Sequence, residues 1–337
     1  MIKTIKKIAL AVIVLLAMSA VSAAEDSKRA FIEHINQMIG SGDKNKSLIF
    51  TAPPRNAKKD DQTYKPIIEF LSETLHRKIE YRKPSGWGDY TKAMINDEAD
   101  IVFDGPHFNA WRMNNLGHRI IVRLPQQQVW KIIVAKNSSY KNIDQLTGQK
   151  ACVQGATNYG KLKFMQFFPN VMRLPQEIQI PSRQDGYNAV ISGVCAATIL
   201  TEAELNKYNK LYQKVHDNKE PPVKVLLATK PSPNQAFSVS ARLSKQEQDQ
   251  IQTALLSPAG QLAMSVLRDR YTNGQQMVAA KQEEYKDIDD VLAGSYPFDN
   301  PFDKPITEAY GVGSDYRSRK HQSTQGKGEV QTAKTRK

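Results

Sequence analysis

The chain has 337 residues, with 47 Lys and Arg against 34 Asp and Glu and only two cysteines. That length supplies two lobes of ordinary domain size. The formal charge of +13 gathers at the ends: Lys3, Lys6 and Lys7 carry three charges and Arg317–Lys337 a net six, which leaves about +4 for the rest and argues against a nucleic-acid partner.

Lys3, Lys6 and Lys7 precede an apolar run, Ile8–Met18, and the small residues Ala20–Ala24. This is the pattern of a secretory signal peptide over residues 1–24, cut after Ala23 or Ala24. The run is shorter than the ~20 residues of a membrane span, and no cysteine follows it for lipid attachment. The expected destination is a bacterial periplasm. Residues 25–46 read as an N-terminal leader, helical or loose.

Ser47–Ala52 is the first strand, broken by Pro53-Pro54-Arg55. Tyr64–Leu75 has the apolar spacing of an amphipathic helix. Lys78–Arg82 is a strand, the loop from Pro84 to Asp89 follows, and Tyr90–Asp97 is a helix. Ile101–Phe103 is a buried strand that ends abruptly at Asp104-Gly105-Pro106. This β-α-β-α-β order predicts a parallel, doubly wound sheet. Ile120–Arg123 and Val129–Ala135 are further strands, the second crossing into another lobe.

A second set follows: strand Lys150–Gln154, helix Lys161–Phe168, strand Glu177–Ile180, helix Gln184–Ser192, strand Val194–Leu200 and helix Thr201–Asn209. Val223–Ala228 is one more strand, and Phe237–Ser240 returns the chain to the first lobe. Ser244 caps a helix over Lys245–Leu256, and Ala259–Tyr271 is another. The expected fold class is α/β: two doubly wound lobes joined by a two-segment hinge. Lobe 1 takes residues 47–127 and 234–292, lobe 2 takes 128–233, and 293–337 is an extended to disordered basic tail. Cys152 and Cys195 fall in the same lobe, so in an oxidising compartment they are either bridged or two separately buried thiols.

Two lobes with two crossings imply a cleft, and in α/β sheets ligands bind beyond the C-terminal ends of strands. In lobe 1 these ends carry Arg55, Trp87, Tyr90, Asp104, His107 and Phe108: aromatic walls from Trp87, Tyr90 and Phe108, with polarity set by Asp104 and His107. In lobe 2 the loop from Gly155 to Gly160, with Thr157, Asn158 and Tyr159, opens a helix whose N–H groups suit an anion. The plainer reading of that loop is an ordinary N-cap. Arg183 and Asp185 stand at the next helix start, and Glu202 follows the next strand. Arg183 has the fork geometry for an oxyanion. No motif for nucleophilic, paired-carboxylate or metal-assisted catalysis is visible, so no metal and no cofactor are expected.

The segments LIFTAPPRN at 48–56, GDYTKAMINDEADIVFDGPHF at 88–108, IIVAKNSSYKNIDQLTGQKACVQG at 132–155, DGYNAVISGVCAATILTEAEL at 185–205 and KVLLATKPSPNQAFSVSARLSKQ at 224–246 together resemble the phosphonate/phosphite/phosphate-type periplasmic substrate-binding proteins of ABC transporters, which have the type 2 periplasmic-binding-protein architecture. The resemblance implies an extracytoplasmic receptor that closes on a small oxyanion. It also implies Tyr90, His107, Trp130, Thr157, Asn158, Gln184, Asp185 and Glu202 as cleft positions. Three departures stand out. The Ser/Thr-rich grasping loop of the family reads ATNYG here. Its Ser-His-Asp reads Ser182-Arg183-Gln184-Asp185. A usual Tyr near the crossover is Trp130. The implied partners are a small anionic solute and an ABC permease, the protein itself being a monomer. A membrane sensor as partner, or an enzyme on the same scaffold, are the alternatives.

Overall fold

The computed structural model describes residues 46–54, 57–292 and 298. The signal peptide, the leader up to residue 45, Arg55 and the basic tail apart from Phe298 lie outside the described residues. The chain divides after Val291, and the two sheets belong to the unit that ends there.

The first sheet is built on three short strands, β1 (Leu48–Thr51), β2 (Ile79–Tyr81) and β3 (Ile101–Asp104), with β1 parallel to both others. Helix α1 (Ala57–Leu75) links β1 to β2, and α2 (Trp87–Ile95) links β2 to β3. After β3, where the strand-ending Asp104-Gly105-Pro106 predicts a turn, comes α3 (Pro106–Leu116). Its stretch PHFNAWRMNNL lacks a clear apolar stripe, but proline fits the first helical position, and Gly117 ends the helix in the left-handed region at φ 67°.

Strand β4 (Arg119–Arg123) completes the outgoing part of the sheet. The chain then crosses to a second sheet through β5 (Trp130–Ala135). There β6 (Lys150–Val153), β7 (Gln176–Gln179) and β8 (Ala197–Thr201) run parallel, with β5 antiparallel between β8 and β9 (Val223–Ala228). The strand order is β7-β6-β8-β5-β9. Helices α4 (Tyr159–Met165), α5 (Arg183–Ile191) and α6 (Glu202–Val215) make its connections.

The chain returns through β10 (Ala236–Val239), which inserts antiparallel between β3 and β4. The return is pinned at the sheet end remote from Asp104: Arg242 donates to the carboxylates of Asp97 and Asp100, and Asp100 accepts the N–H of Ile49 at 2.8 Å. Helices α7 (Lys245–Leu256), α8 (Pro258–Ala263) and α9 (Ser265–Thr272) then cover the first sheet, where the sequence predicted two helices. Ser244 caps α7 as expected, its hydroxyl accepting from Glu247 N. A short β11 (Val278–Ala279) closes the sheet edge in the order β11-β4-β10-β3-β1-β2.

The core of the first lobe gathers around Phe50, Phe103 and Phe237, all fully buried, with the last two rings 4.8 Å apart. That of the second includes Ile133, Tyr187 and Leu200. The two crossing segments run side by side, with Gln128 and Ser232 exchanging backbone hydrogen bonds of 2.8 and 3.0 Å. Cys152, in β6, is bridged to Cys195, in the turn before β8, across a sequence separation of 43. Of the two readings left open by the sequence, the structure holds the disulfide.

Two predictions follow from this framework. By chain entropy a loop of this length is worth about 4 kcal/mol, so replacing both cysteines by alanine lowers unfolding free energy by about 2–4 kcal/mol in chemical denaturation; an unchanged midpoint counts against it. His118 is buried with Nε2 2.8 Å from Asp97 Oδ1, and burial holds its pKa below the ordinary value even though Asp97 opposes the shift. As pH falls below about 6.5, the unfolded chain takes up a proton that the folded chain refuses, and stability is lost. His118→Gln flattens the acid side of the stability curve down to the folded pKa; the same slope in both proteins sinks the assignment.

Candidate functional site

The C-terminal edge of the first sheet is organised by a buried charge. Asp104 ends β3 at 1% exposure. Arg112, two turns along α3, places Nη1 2.8 Å from Asp104 Oδ2 and donates from Nη2 to the Tyr90 hydroxyl at 2.9 Å. The Tyr90 hydroxyl donates in turn to Asp104. Burial lifts the Tyr90 phenol well above its usual range; Arg112 opposes this and Asp104 adds to it. The phenol is therefore a neutral donor. Tyr90 and Asp104, expected as wall and polar contact, are thus placed beneath the surface, where they fix the turn above them.

That turn carries His107. Gly105 lies against it: a Cβ there would come 2.9 Å from His107 Cε1, so a side chain would displace the imidazole. The Nε2–H of His107 donates to the carbonyl of Thr157 at 3.1 Å. This hydrogen bond joins the first lobe to the loop that opens α4 in the second. Around it the rings form a ladder. Trp87 lies 6.3 Å from Phe108, Phe108 lies 4.0 Å from His107, and His107 stacks on Tyr159 at 5.1 Å and 16°. Tyr159 meets Trp130 edge-on at 6.1 Å, and the Arg183 guanidinium sits 4.7 Å from the Trp130 ring centroid. Trp87, Phe108, His107, Tyr159, Trp130 and Arg183 are therefore one continuous contact path across both lobes.

The α4 entrance departs from a simple anion loop. Asn158 accepts from the N–H groups of Gly160 at 3.0 Å and Lys161 at 3.3 Å, so these donors are already engaged. Gly155 adopts φ +60°, a left-handed conformation that glycine takes without steric cost. Gly160 lies against the tryptophan: a Cβ there would come 2.3 Å from Trp130 Cζ3. Burial pushes the Tyr159 phenol up to about 12, with Ser232 pulling the other way. Trp130 is 2% exposed, and its Nε1–H has no hydrogen-bond partner among the described residues.

The other candidates are placed as follows. Arg183 also pairs with Glu204 at 2.6 Å. Asp185 forms a capping box with Ser182, whose hydroxyl accepts from Asp185 N while the Asp185 carboxylate accepts from Ser182. Gln184 is exposed beside it. Glu202 is exposed and pairs with Lys131 at 2.9 Å. Sequence reasoning missed Arg112 because its helix was not foreseen. The signal available was the eight-residue spacing from Asp104 with proline at the helix start, which puts Arg112 on the side of α3 that overlies Asp104. No group of described residues has the makeup of a metal site.

Removing the cation tests the support. Arg112→Leu leaves Asp104 buried without its counter-charge, a change that costs about 3–5 kcal/mol. Denaturant unfolding reads it; a loss under about 1 kcal/mol would show that the pair is dispensable.

The family described as periplasmic substrate-binding protein of phosphonate ABC transporters matches residues 49–285. Among solved structures, the chain is similar to PhnD1 from Prochlorococcus marinus in complex with methylphosphonate. There the identity is 14%, the match covers 74% of this chain and 98% of that one, and the TM-score is 0.53. It is also similar to the XAC2383 protein from Xanthomonas citri bound to ATP, at 11% identity, 74% and 97% coverage and a TM-score of 0.58. At these identities the likeness is one of fold. No curated protein matches the sequence.

Proposed function

Because the chain belongs to the family of periplasmic substrate-binding proteins of phosphonate ABC transporters, we propose that it captures a small phosphorus oxyanion between its lobes and delivers it to a membrane permease. The observation that carries this reading is the hydrogen bond from His107 of one lobe to the Thr157 carbonyl of the other. A solute that inserts there touches both lobes at once. It takes the His107 Nε2–H as one donor and the Thr157 hydroxyl as another. Trp130 Nε1–H, an unspent buried donor, gains by pairing with an oxygen. Arg183, paired with Glu204, packs its guanidinium against the Trp130 ring and fixes it. The solute shifts the lobes toward the closed state by its differential affinity for that state.

Asn158 and Asp185 act in this reading by holding the helix starts of α4 and α5, while Gln184 and Glu202 border the same edge of the second sheet. Export through a signal peptide cleaved at Ala23 or Ala24 places the protein in the periplasm, where it works as a monomer and hands solute to the permease without chemical change.

Thermal shift against phosphate, phosphite, methylphosphonate, sulfonates and carboxylates tests the reading. A ligand at 100-fold its Kd adds about 2.7 kcal/mol of stability, so a phosphorus oxyanion raises Tm by several degrees. His107→Ala then weakens binding by tenfold or more. A response confined to carboxylates or sulfonates, or an unchanged Kd in His107→Ala, overturns it.

A further inference from the structure

Helix α6 has two unlike faces. Leu205 and Tyr208 point inward and pack with Ile133, Tyr187 and Leu200 of the second lobe's core, and Asn209 accepts from the Tyr187 hydroxyl at 2.8 Å. Lys207, Lys210 and Lys214 follow at the three- and four-residue spacing that lines one side of a helix, and all three are exposed. Leu211 and Val215, each one residue on from a lysine, are 42% and 67% exposed. They add an apolar strip beside the basic one.

The outward face is unbalanced in charge. At the helix start Glu202 is spent on Lys131 at 2.9 Å and Glu204 on Arg183 at 2.6 Å. From Leu205 to Lys219 there are four lysines and one acid, Asp217. Several other exposed lysines stand beside carboxylates, as Lys65 does with Glu69, Lys78 with Glu80 and Lys245 with Asp249. Lys207, Lys210 and Lys214 have no ion-pair partner among the described residues.

Charge complementarity asks for an anionic partner, and the makeup of the face selects a lipid surface over a protein. Protein interfaces are depleted of lysine and anchored by aromatic or arginine side chains seated in pockets. This face presents lysines and aliphatic groups on a convex helix. Ammonium groups beside Leu and Val are the pattern of helices that lie on anionic bilayers, with the ammonium at the phosphates and the aliphatic strip at the acyl boundary. Each lysine near such a surface strengthens binding by about fivefold.

We propose that the outward face of α6 is a docking surface for an anionic phospholipid membrane, holding the second lobe reversibly at the bilayer. This goes beyond solute capture and does not depend on which solute the cleft takes.

Co-sedimentation of the purified mature protein, its C-terminal segment included, with phosphatidylcholine vesicles that contain or lack phosphatidylglycerol tests the surface. Binding is expected only where phosphatidylglycerol is present, and it weakens as salt rises. Replacing the three lysines together, Lys207→Gln, Lys210→Gln and Lys214→Gln, lowers the partition coefficient by about tenfold or more and leaves Tm unchanged, while the three changes to arginine keep binding. Lys65→Gln, Lys78→Gln and Lys245→Gln together remove the same net charge from the first lobe and leave binding close to that of the parent. Leu211→Gln with Val215→Gln weakens it severalfold. No preference for phosphatidylglycerol overturns the proposal. So does undiminished binding by the α6 glutamine variant, which would assign the attraction to the basic residues 317–337, or an equal loss in the first-lobe variant, which would assign it to net charge. Binding untouched by the Leu211 and Val215 changes overturns the lipid surface as well and points to an acidic protein as the partner.

Discussion

The pairing of Arg112 with Asp104 is the constraint on which the first lobe's half of the site depends. One guanidinium, always charged at physiological pH, spans three elements: Asp104 at the end of β3, Tyr90 in α2 and its own helix α3. Trp87 lies one turn before Tyr90, and His107 lies three residues after Asp104. Both side chains therefore inherit their positions from an interaction neither of them makes. A surface ion pair would not hold them so firmly, because exposed pairs contribute about 0–1 kcal/mol. Here both partners are nearly excluded from solvent, and displacing either leaves a bare charge inside the lobe.

The second lobe presents a different solution at the same cleft. Where the resembled family uses hydroxyl-rich loops, ATNYG spends two helix-start amides on the Asn158 side chain and offers a ring instead. Gly160 then lets α4 approach Trp130 more closely than any residue with a Cβ would permit. The result is a wall in which stacking and cation–π contact, the latter worth about 0.5–2 kcal/mol, replace part of the hydrogen-bonding field.

Much of the fold was legible in the sequence because strands such as Ile101–Phe103 and Ile132–Val134 are continuous apolar runs closed by turn residues, which is the mark of strands buried on both faces. Helix α3 was not legible. Its amide-rich face carries no apolar stripe, because Asn109 points inward to hydrogen-bond the carbonyls of Asp104 and Ala236 and Arg112 points inward to Asp104. Periodicity methods count such residues as outward. For the site, sequence placed His107, Trp130 and Tyr159 at strand or helix ends but had no means of seeing that their rings meet. Tyr90 and Asp104 looked like contacts because polar and aromatic residues at a strand end are usually exposed; only the hidden cation explains their burial.

The Cys152–Cys195 bridge has a consequence for when the molecule matures. Protein disulfides are rare in reducing cytosol and persist in oxidising compartments. Before oxidation the chain lacks a cross-link worth about 4 kcal/mol, which corresponds to roughly a thousandfold in the balance between folded and unfolded forms. The bridge joins β6 to the turn before β8, in the middle of the second sheet. In the export proposed above, the unbridged chain stays more pliable until it meets an oxidant in the periplasm, and stiffens there. The same covalent bond that holds the sheet acts as a clock for its assembly.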